Sequence, residues 1–503
     1  MVNCCAVNLA TIIDPHPEDR TALISRGKAT TYATLRAQVA GVRGGLVGLG
    51  LEPGDRVGIV CANNPLFVVS YLAILGAGLV AVPLNPQSPQ VELERQLAAI
   101  GARAVVAGPS GRETVAALDR GRVPALEHLV NASSGELPGS VAFDELAATA
   151  PTPVVDVGAD DLAVLMFTSG VAGSPKAAML SHGNLLANLE QVGRSEARRQ
   201  HPDDVSLGLL PLFHIFGLNV VLGLSLMAGS AVLLIERFDP ESAAEAVVRH
   251  GVTVIAGAPA MWAAWAALPD TGASVFRSVR IATSGAARLP TEVVDRMRER
   301  FDLQILEGYG LTEASPVVTS ATGMGYRPGS IGGPLPGVAV RLVDADGSDT
   351  LVGDAGEIWV QGPNVFGGYW NDPAATKVAL TDDGWLRTGD IAVVDDDGFV
   401  YLVDRAKDLI IVSGFNVFPA EVEEVLLDHP AIEGCAVVGV PHPHTGEAVK
   451  AYVVLAGGQS LDEEDVIAYA ERSLARYKCP DKVMFVDEIP LGMAGKVLRR
   501  ALR

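Results

Sequence analysis

The chain has 503 residues, 49% of them apolar, and a formal net charge of −21. That length allows two or three domains with a large core, and that apolar fraction excludes a disordered chain. The acidic field excludes nucleic-acid or anionic-membrane binding by general attraction, so a phosphorylated substrate would need a local basic site. The five cysteines, Cys4, Cys5, Cys61, Cys435 and Cys479, show no metal-ligand spacing. They predict a reducing, cytoplasmic setting, and Met1 to Thr11 lack the basic start of a secretory signal.

From about residue 30 to 340, helical periodicity alternates with short apolar runs. The helices are expected at Tyr32–Gly48, Val91–Ile100, Ser242–His250 and Thr291–Phe301. The runs are Arg56–Val60, Ala104–Ala107, Ala231–Ile235, Thr253–Ala256, Val279–Ser284 and Leu303–Glu307. Such alternation predicts an α/β fold with layered, largely parallel sheets buried on both faces. Gly217–Ile235 is uncharged and long enough to span a bilayer, but Gly229-Ser230 divides it. A buried helix, turn and strand is the expectation, with the same pattern at Leu66–Pro83, and no transmembrane segment is predicted.

After Gly329 the texture changes to alternating strands, at Ala339–Val343, Glu357–Gln361, Ile391–Val394 and Phe399–Val403, with Asp397-Gly398 as a hairpin turn. A small β subdomain is expected there. Beyond Asp404–Asp408 a compact α+β pattern follows: helix at Glu421–Leu427, strands at Gly434–Gly439 and Lys450–Leu455, helix at Asp462–Leu474, strand at Lys482–Val486. The predicted organisation is an N-terminal domain over 1–403, a hinge at 404–408 and a mobile C-terminal domain over 409–503.

Several short motifs carry chemistry. Phe167-Thr168-Ser169-Gly170-Val171-Ala172-Gly173-Ser174-Pro175-Lys176 follows an apolar strand and joins hydroxyls, glycines and a lysine, the makings of a phosphate-holding loop. It is not the common P-loop, because Pro175 precedes Lys176 and Ala177 follows it. In Gly308-Tyr309-Gly310-Leu311-Thr312-Glu313 the glycines leave the tyrosine's face open for stacking, and Glu313 offers Mg²⁺ a hard oxygen. Asp390, in Thr388-Gly389-Asp390, stands at an expected strand start and suits a ribose diol; taken alone, a turn aspartate is the better reading. Asp404-Arg405-Ala406-Lys407-Asp408 reads as a solvated linker or as a hinge in which Arg405 reaches the same ribose. Gly492-Met493-Ala494-Gly495-Lys496 is a basic tail or a lysine carried into another domain's site. His214, Phe213 and Phe216 lie in an apolar run that suits core or pocket wall.

In order and spacing, these motifs, with Pro211-Leu212-Phe213-His214 and Ser284-Gly285-Ala286-Ala287, resemble the adenylate-forming superfamily, most closely its stand-alone acyl-CoA synthetases. The resemblance implies a carboxylate attacking the α-phosphate of ATP·Mg²⁺, then a thiol displacing AMP. By that resemblance Thr168, Ser169, Gly170, Gly173 and Lys176 hold the β and γ phosphates, and Ser284, Gly285, Ala286 and Ala287 line the base on which Tyr309, between Gly308 and Gly310, lies. Thr312 bonds the α-phosphate, Glu313 binds Mg²⁺ with Thr168 nearby, and Asp390 and Arg405 hold the ribose. Lys496 bridges the carboxylate and the α-phosphate, Lys407 is the pivot, Ser413 and Gly414 face the thiol channel, and His214 gates or lines the acyl pocket.

Phe216, Gly217, Val220 and Met261-Trp262 are the candidate pocket wall, favouring a fatty or aryl acid. Coenzyme A is the expected acceptor, since no carrier domain follows; a separate carrier protein is the alternative. Val171, where the family has a hydroxyl, predicts a weaker hold on phosphate and leaves a nucleotide-binding pseudoenzyme as a further reading. Ala172, Ala177-Ala178 and Arg288 are milder departures, and Arg288 is read as a surface residue.

Overall fold

The structure, a computed structural model, describes residues 7–132, 137–168, 176–269, 272–287, 289–344, 347–405, 410–417, 419–490 and 502. Most of the loop 168–176, the hinge residues Lys407 and Asp408, Arg288 and Lys496 therefore lie outside the described residues. Among those described, strands form four sheets of nine, seven, five and four strands.

Two of the sheets build the large α/β part. The seven-stranded sheet runs Val141–Ala142, His128–Asn131, Ala104–Ala107, Arg56–Val60, Val80–Leu84, Leu162–Thr168, Lys176–Ser181. Its members are parallel except the last pair, which is antiparallel and sets Thr168 opposite Lys176. The nine-stranded sheet has a parallel centre, with Val205–Gly208, Val254–Gly257, Ile281–Ser284 and Leu306–Gly310, and antiparallel pairs at both edges. Both are α/β layers with largely parallel strands, as the alternation of the sequence requires.

The helix bounds follow local signals. Ser181 and Asn184 close a capping box on His182–Gly193, and Asn184 also donates to the carbonyls of Pro363 and Val365. Asp239 caps Pro240–His250, which opens on proline and ends at Gly251. The uncharged stretch is a π-helix at Phe216–Gly223, a helix at Leu224–Ala228 and a strand at Ala231–Leu234. No helix among the described residues is long and apolar enough to cross a membrane.

The four-stranded antiparallel sheet, Ala339–Val343, Gly356–Gln361, Leu386–Val394, Val400–Arg405, is the expected β subdomain. Residues 410–417 and 419–490 hold the five-stranded sheet with helices Pro419–Leu427 and Glu463–Glu471. That sheet has its own core around Leu426, Val437, Val449 and Val453, the mark of a C-terminal α+β domain.

Two expected elements shift. The strand expected at Leu303–Glu307 is Leu306–Gly310, because its antiparallel partner Val317–Ser320 recruits the glycines into pairing. A Cβ at Gly310 would come within 2.2 Å of the Pro316 carbonyl, so close backbone approach demands glycine here as much as access to Tyr309 does. Asp390 is not at a strand start but inside Leu386–Val394, at a bulge where Glu357 pairs Ile391 and Trp359 pairs Arg387.

Candidate active site

One cavity of about 390 Å³ is bordered by Thr168, Lys176, His214, Ser284 to Ala287, Gly308 to Glu313, Asp390 and Gly414. Five separate parts of the fold supply these residues. Thr168 and Lys176 come from the hairpin edge of the seven-stranded sheet. Ser284 and Gly310 end strands of the nine-stranded sheet, where open α/β sheets gather ligand-binding loops. Asp390 comes from the β subdomain, His214 precedes the π-helix, and Gly414 belongs to the C-terminal domain.

The bulge is pinned. Thr388 Oγ1 donates to the Ile358 carbonyl at 2.7 Å and accepts from Asp390 N at 3.1 Å, while Gly389 N donates to Glu357 Oε1 at 2.7 Å. Tyr309 Oη then donates to Asp390 Oδ2 at 2.7 Å, linking the nine-stranded sheet to the β subdomain. Asp390 is the register partner of Arg405 on the neighbouring strand, so the backbone brings these two together; the Arg405 side chain lies outside the described residues.

Glu313 is also oriented. Tyr369 Oη donates to its Oε1 at 2.6 Å, which leaves Oε2 without a hydrogen-bond partner among the described residues. Burial, reinforced by the Glu313 charge, pushes the Tyr369 phenol far above its ordinary pKa and keeps it a donor. The Lys176 ammonium lies 5.2 Å from the same ring's centre, which places that cation beside Glu313's support. Neighbouring Thr312 and Glu313 open a short 3₁₀ turn at the cavity wall.

Ala286 has a φ of +70°, a conformation costly for a residue with a Cβ and concentrated at functional sites. Ser284 Oγ is buried without a partner among the described residues, and Glu307, 8% exposed, accepts from Leu289 N to tie down the loop beyond them.

The C-terminal domain closes the mouth with the turn Ser413-Gly414, whose φ values of +51° and +85° suit a two-residue hairpin of type I′. Gly414, not Ser413, borders the cavity; a Cβ there would lie 3.3 Å from that of Ala286. Phe415 stacks on Tyr477 at 4.5 Å and on Phe213 at 6.4 Å, and meets the edge of His214 at 6.1 Å. Burial lowers the His214 pKa to about 4, and its Nδ1 accepts from Phe216 N, so the ring is neutral and its Nε2 carries the proton.

Of the candidate pocket wall, Phe213, Phe216 and Val220 border the cavity. Met261, Trp262 and Gly217 do not. Trp262 is fully buried against Trp265, so it belongs to the core, and Gly217 is pressed on the Pro211 carbonyl. An apolar run fits core and pocket equally well in sequence. Tyr369 joins the site with one local signal in sequence, Gly367-Gly368-Tyr369, and Glu307 joins it with none.

An α/β body of this shape, with a β subdomain and an α+β domain meeting at one cleft, defines an adenylate-forming enzyme. The AMP-binding enzyme family matches residues 10–370, and the AMP-binding enzyme C-terminal domain matches 421–496. A feruloyl-CoA synthase from an Amycolatopsis species is 40% identical over 98% of this chain and 96% of its own. A long-chain-fatty-acid–CoA ligase of Bacillus subtilis is 34% identical over 96% of this chain and 91% of its own. Among solved structures, the amide bond synthetase McbA from Marinactinospora thermotolerans superposes with a TM-score of 0.91 at 32% identity, covering 99% of both chains. The chain belongs to the AMP-forming acid–CoA ligase family.

Proposed function

We propose that the protein activates a hydrophobic carboxylic acid, fatty or aryl, with ATP and transfers the acyl group to coenzyme A. The observation that carries this reading is the continuity of the cavity. Its polar end holds Tyr309, Asp390, Glu313 and Lys176, and an apolar stretch continues from it, with Phe213, Phe216, Val220 and Leu224.

In the first step a carboxylate oxygen attacks the α-phosphorus, the bond to the bridging oxygen breaks, and pyrophosphate leaves. Such a step needs positioning and charge neutralisation more than a base. Tyr309 and the Ser284–Ala287 loop hold the base, Asp390 with Arg405 the ribose, Thr312 the α-phosphate, and Lys176 with Ser169, Gly170 and Gly173 the outer phosphates. Glu313 Oε2, unpartnered among the described residues, and the Thr168 hydroxyl suit Mg²⁺, which takes one or two protein oxygens and otherwise phosphates and water. When bound, that ion supplies neutralising charge to the phosphates. Lys496 approaches the carboxylate in this step.

In the second step the thiol sulfur attacks the acyl carbon and AMP leaves. The turn at Gly414, packed on Ala286, supports a C-terminal domain already turned for thioester formation, and rotation about Lys407 exchanges it for Lys496. Neutral His214 lines the acyl pocket rather than carrying charge.

The test is a panel of carboxylic acids assayed for AMP release with and without coenzyme A, with an amine and a carrier protein as control acceptors. AMP release dependent on both acid and coenzyme A is expected. Release that needs a carrier or amine reassigns the acceptor, and no release with any acid leaves a nucleotide-binding pseudoenzyme. Lys496→Ala should cripple adenylation yet spare thioester formation from supplied acyl adenylate; equal loss of both refutes its role.

A further inference from the structure

The cavity runs along the nine-stranded sheet from strand ends to strand beginnings. Ser284 closes the strand Ile281–Ser284 beside Tyr309, whereas Ile281 and Val254, the first residues of their strands, border the cavity's other end. Three residues of strand separate these ends, about 10 Å at the usual rise. The far end is not apolar. Arg198, Gln200, Ser206 and Thr322 border it.

Arg198 is half-buried. Its Nε donates to the Thr322 carbonyl at 2.8 Å and its Nη2 to the Ser320 carbonyl at 3.4 Å. No carboxylate among the described residues pairs with it, and burial alone pulls its pKa below the ordinary arginine value. Glu196, the nearest acid in sequence, is engaged elsewhere, facing Arg199 and His201. Gln200 is 9% exposed, and its Oε1 lies within hydrogen-bond distance of the hydroxyls of Ser206, Ser225 and Ser230. That fixes the amide and leaves its amino end for the cavity it borders. The Thr322 hydroxyl is buried without a partner among the described residues.

A guanidinium without an acid, an amide donor and an orphaned hydroxyl at the end of an apolar pocket form a hydrogen-bonding cap. A long alkyl chain would bury its terminus against these groups and leave them unpaired, at a cost in affinity. We propose that Arg198 and Gln200 are specificity-determining residues that read a second oxygen at the far end of the acid. The substrate is then an acid that carries a second oxygen at its far end, rather than a plain fatty acid; ring-substituted cinnamates supply such an oxygen on a rigid frame for the test. This rests on the carboxylate-activating reading above and narrows its substrate class.

The acceptor oxygen can be a neutral phenol or a second carboxylate, and the assay separates them. AMP release with coenzyme A is followed for cinnamate, 4-hydroxycinnamate, 4-carboxycinnamate and dodecanoate with the full chain. A kcat/KM for one or both oxygenated acids about 10- to 100-fold above cinnamate is expected. The ratio should collapse toward one in Arg198→Met, largely through KM, and recover in part in Arg198→Lys. Which oxygenated acid wins tells phenol from carboxylate. Turnover of cinnamate or dodecanoate at or above the oxygenated acids overturns the proposal while leaving acid activation standing. An Arg198→Met that lowers all acids alike, with a lower Tm, assigns Arg198 a purely structural role and also overturns it. AMP release with none of the four acids refutes the proposal, and the wider panel then decides whether the activation reading falls with it.

Discussion

Lys478 offers a direct measure of how the C-terminal domain is held. Its ammonium donates to Glu92 Oε1 at 2.9 Å and to Glu421 Oε1 at 2.8 Å. Glu92 lies on helix Gln90–Ile100 of the large body, whereas Glu421 and Lys478 belong to the C-terminal domain, so the pair with Glu92 crosses the cleft. The side chains are only 7%, 10% and 17% exposed for Lys478, Glu92 and Glu421. The other oxygen of each carboxylate is buried without a partner among the described residues, and burial lifts the Glu421 carboxyl above its ordinary range against the pull of Lys478. Lys478→Met would leave two buried carboxylates facing each other with no cation. Removing one partner of a buried ion pair costs about 3–5 kcal/mol, or roughly two to four decades in the population of the docked orientation. Thioester formation from supplied acyl adenylate should therefore fall by about 100-fold or more. Pyrophosphate release in the first step, which the proposed rotation assigns to the other orientation, should fall far less. Glu92→Gln in the same chain should restore about a decade or more, since a lone Glu421 can take up a proton. Equal loss in both half-reactions, or a double variant no better than Lys478→Met, would refute a docking role.

The remaining predictions concern pH and the polar end of the cavity. Burial holds His182 and His214 at pKa values of about 4, so between pH 6.5 and 4 the unfolded chain binds protons that the folded one refuses. Stability is complete above pH 6.5 and falls toward pH 4, by up to about 1.4 kcal/mol per pH unit for each histidine. His182→Asn, which keeps an acceptor for Leu9 N, should flatten the slope of Tm against pH, and an unchanged slope excludes His182 as a source. Tyr369→Phe removes the donor to Glu313 and should lower adenylation kcat/KM about 10- to 100-fold, with a raised Mg²⁺ requirement; unchanged Mg²⁺ dependence counts against Glu313 as the metal's carboxylate. Val171→Thr should raise ATP-dependent adenylation by about tenfold or more by restoring a hydroxyl to the phosphate loop, and no gain sinks that expectation.

Much of this fold was legible because periodicity and caps are local. Helices Tyr32–Gly48 and Thr291–Phe301 and strands Arg56–Val60 and Ala104–Ala107 lie where the pattern puts them. Glycine-rich strands were not legible: Leu306–Gly310 owes its register to a partner strand, and Asp390 its aim to a bulge that only pairing creates. At the site, Tyr309, Glu313 and Asp390 stood out as motif residues. Their supports did not, because Tyr369 meets Glu313 across 56 residues and Lys478 meets Glu92 across 386. Arg198 carries no local signal at all; only its position at the end of a cavity gives it meaning.

The hydrogen bond from Tyr309 to Asp390 joins two sheets that share no strand. A nucleotide lying on that tyrosine and held by that aspartate would act as a rivet through the seam. Ligand at about 100 times its Kd adds about 2.7 kcal/mol to whatever binds it only when assembled. Cohesion of the β subdomain and affinity for nucleotide are therefore one equilibrium. A substitution deep in that subdomain, remote from the cavity, would be read in the laboratory as poor ATP binding long before it was read as unfolding.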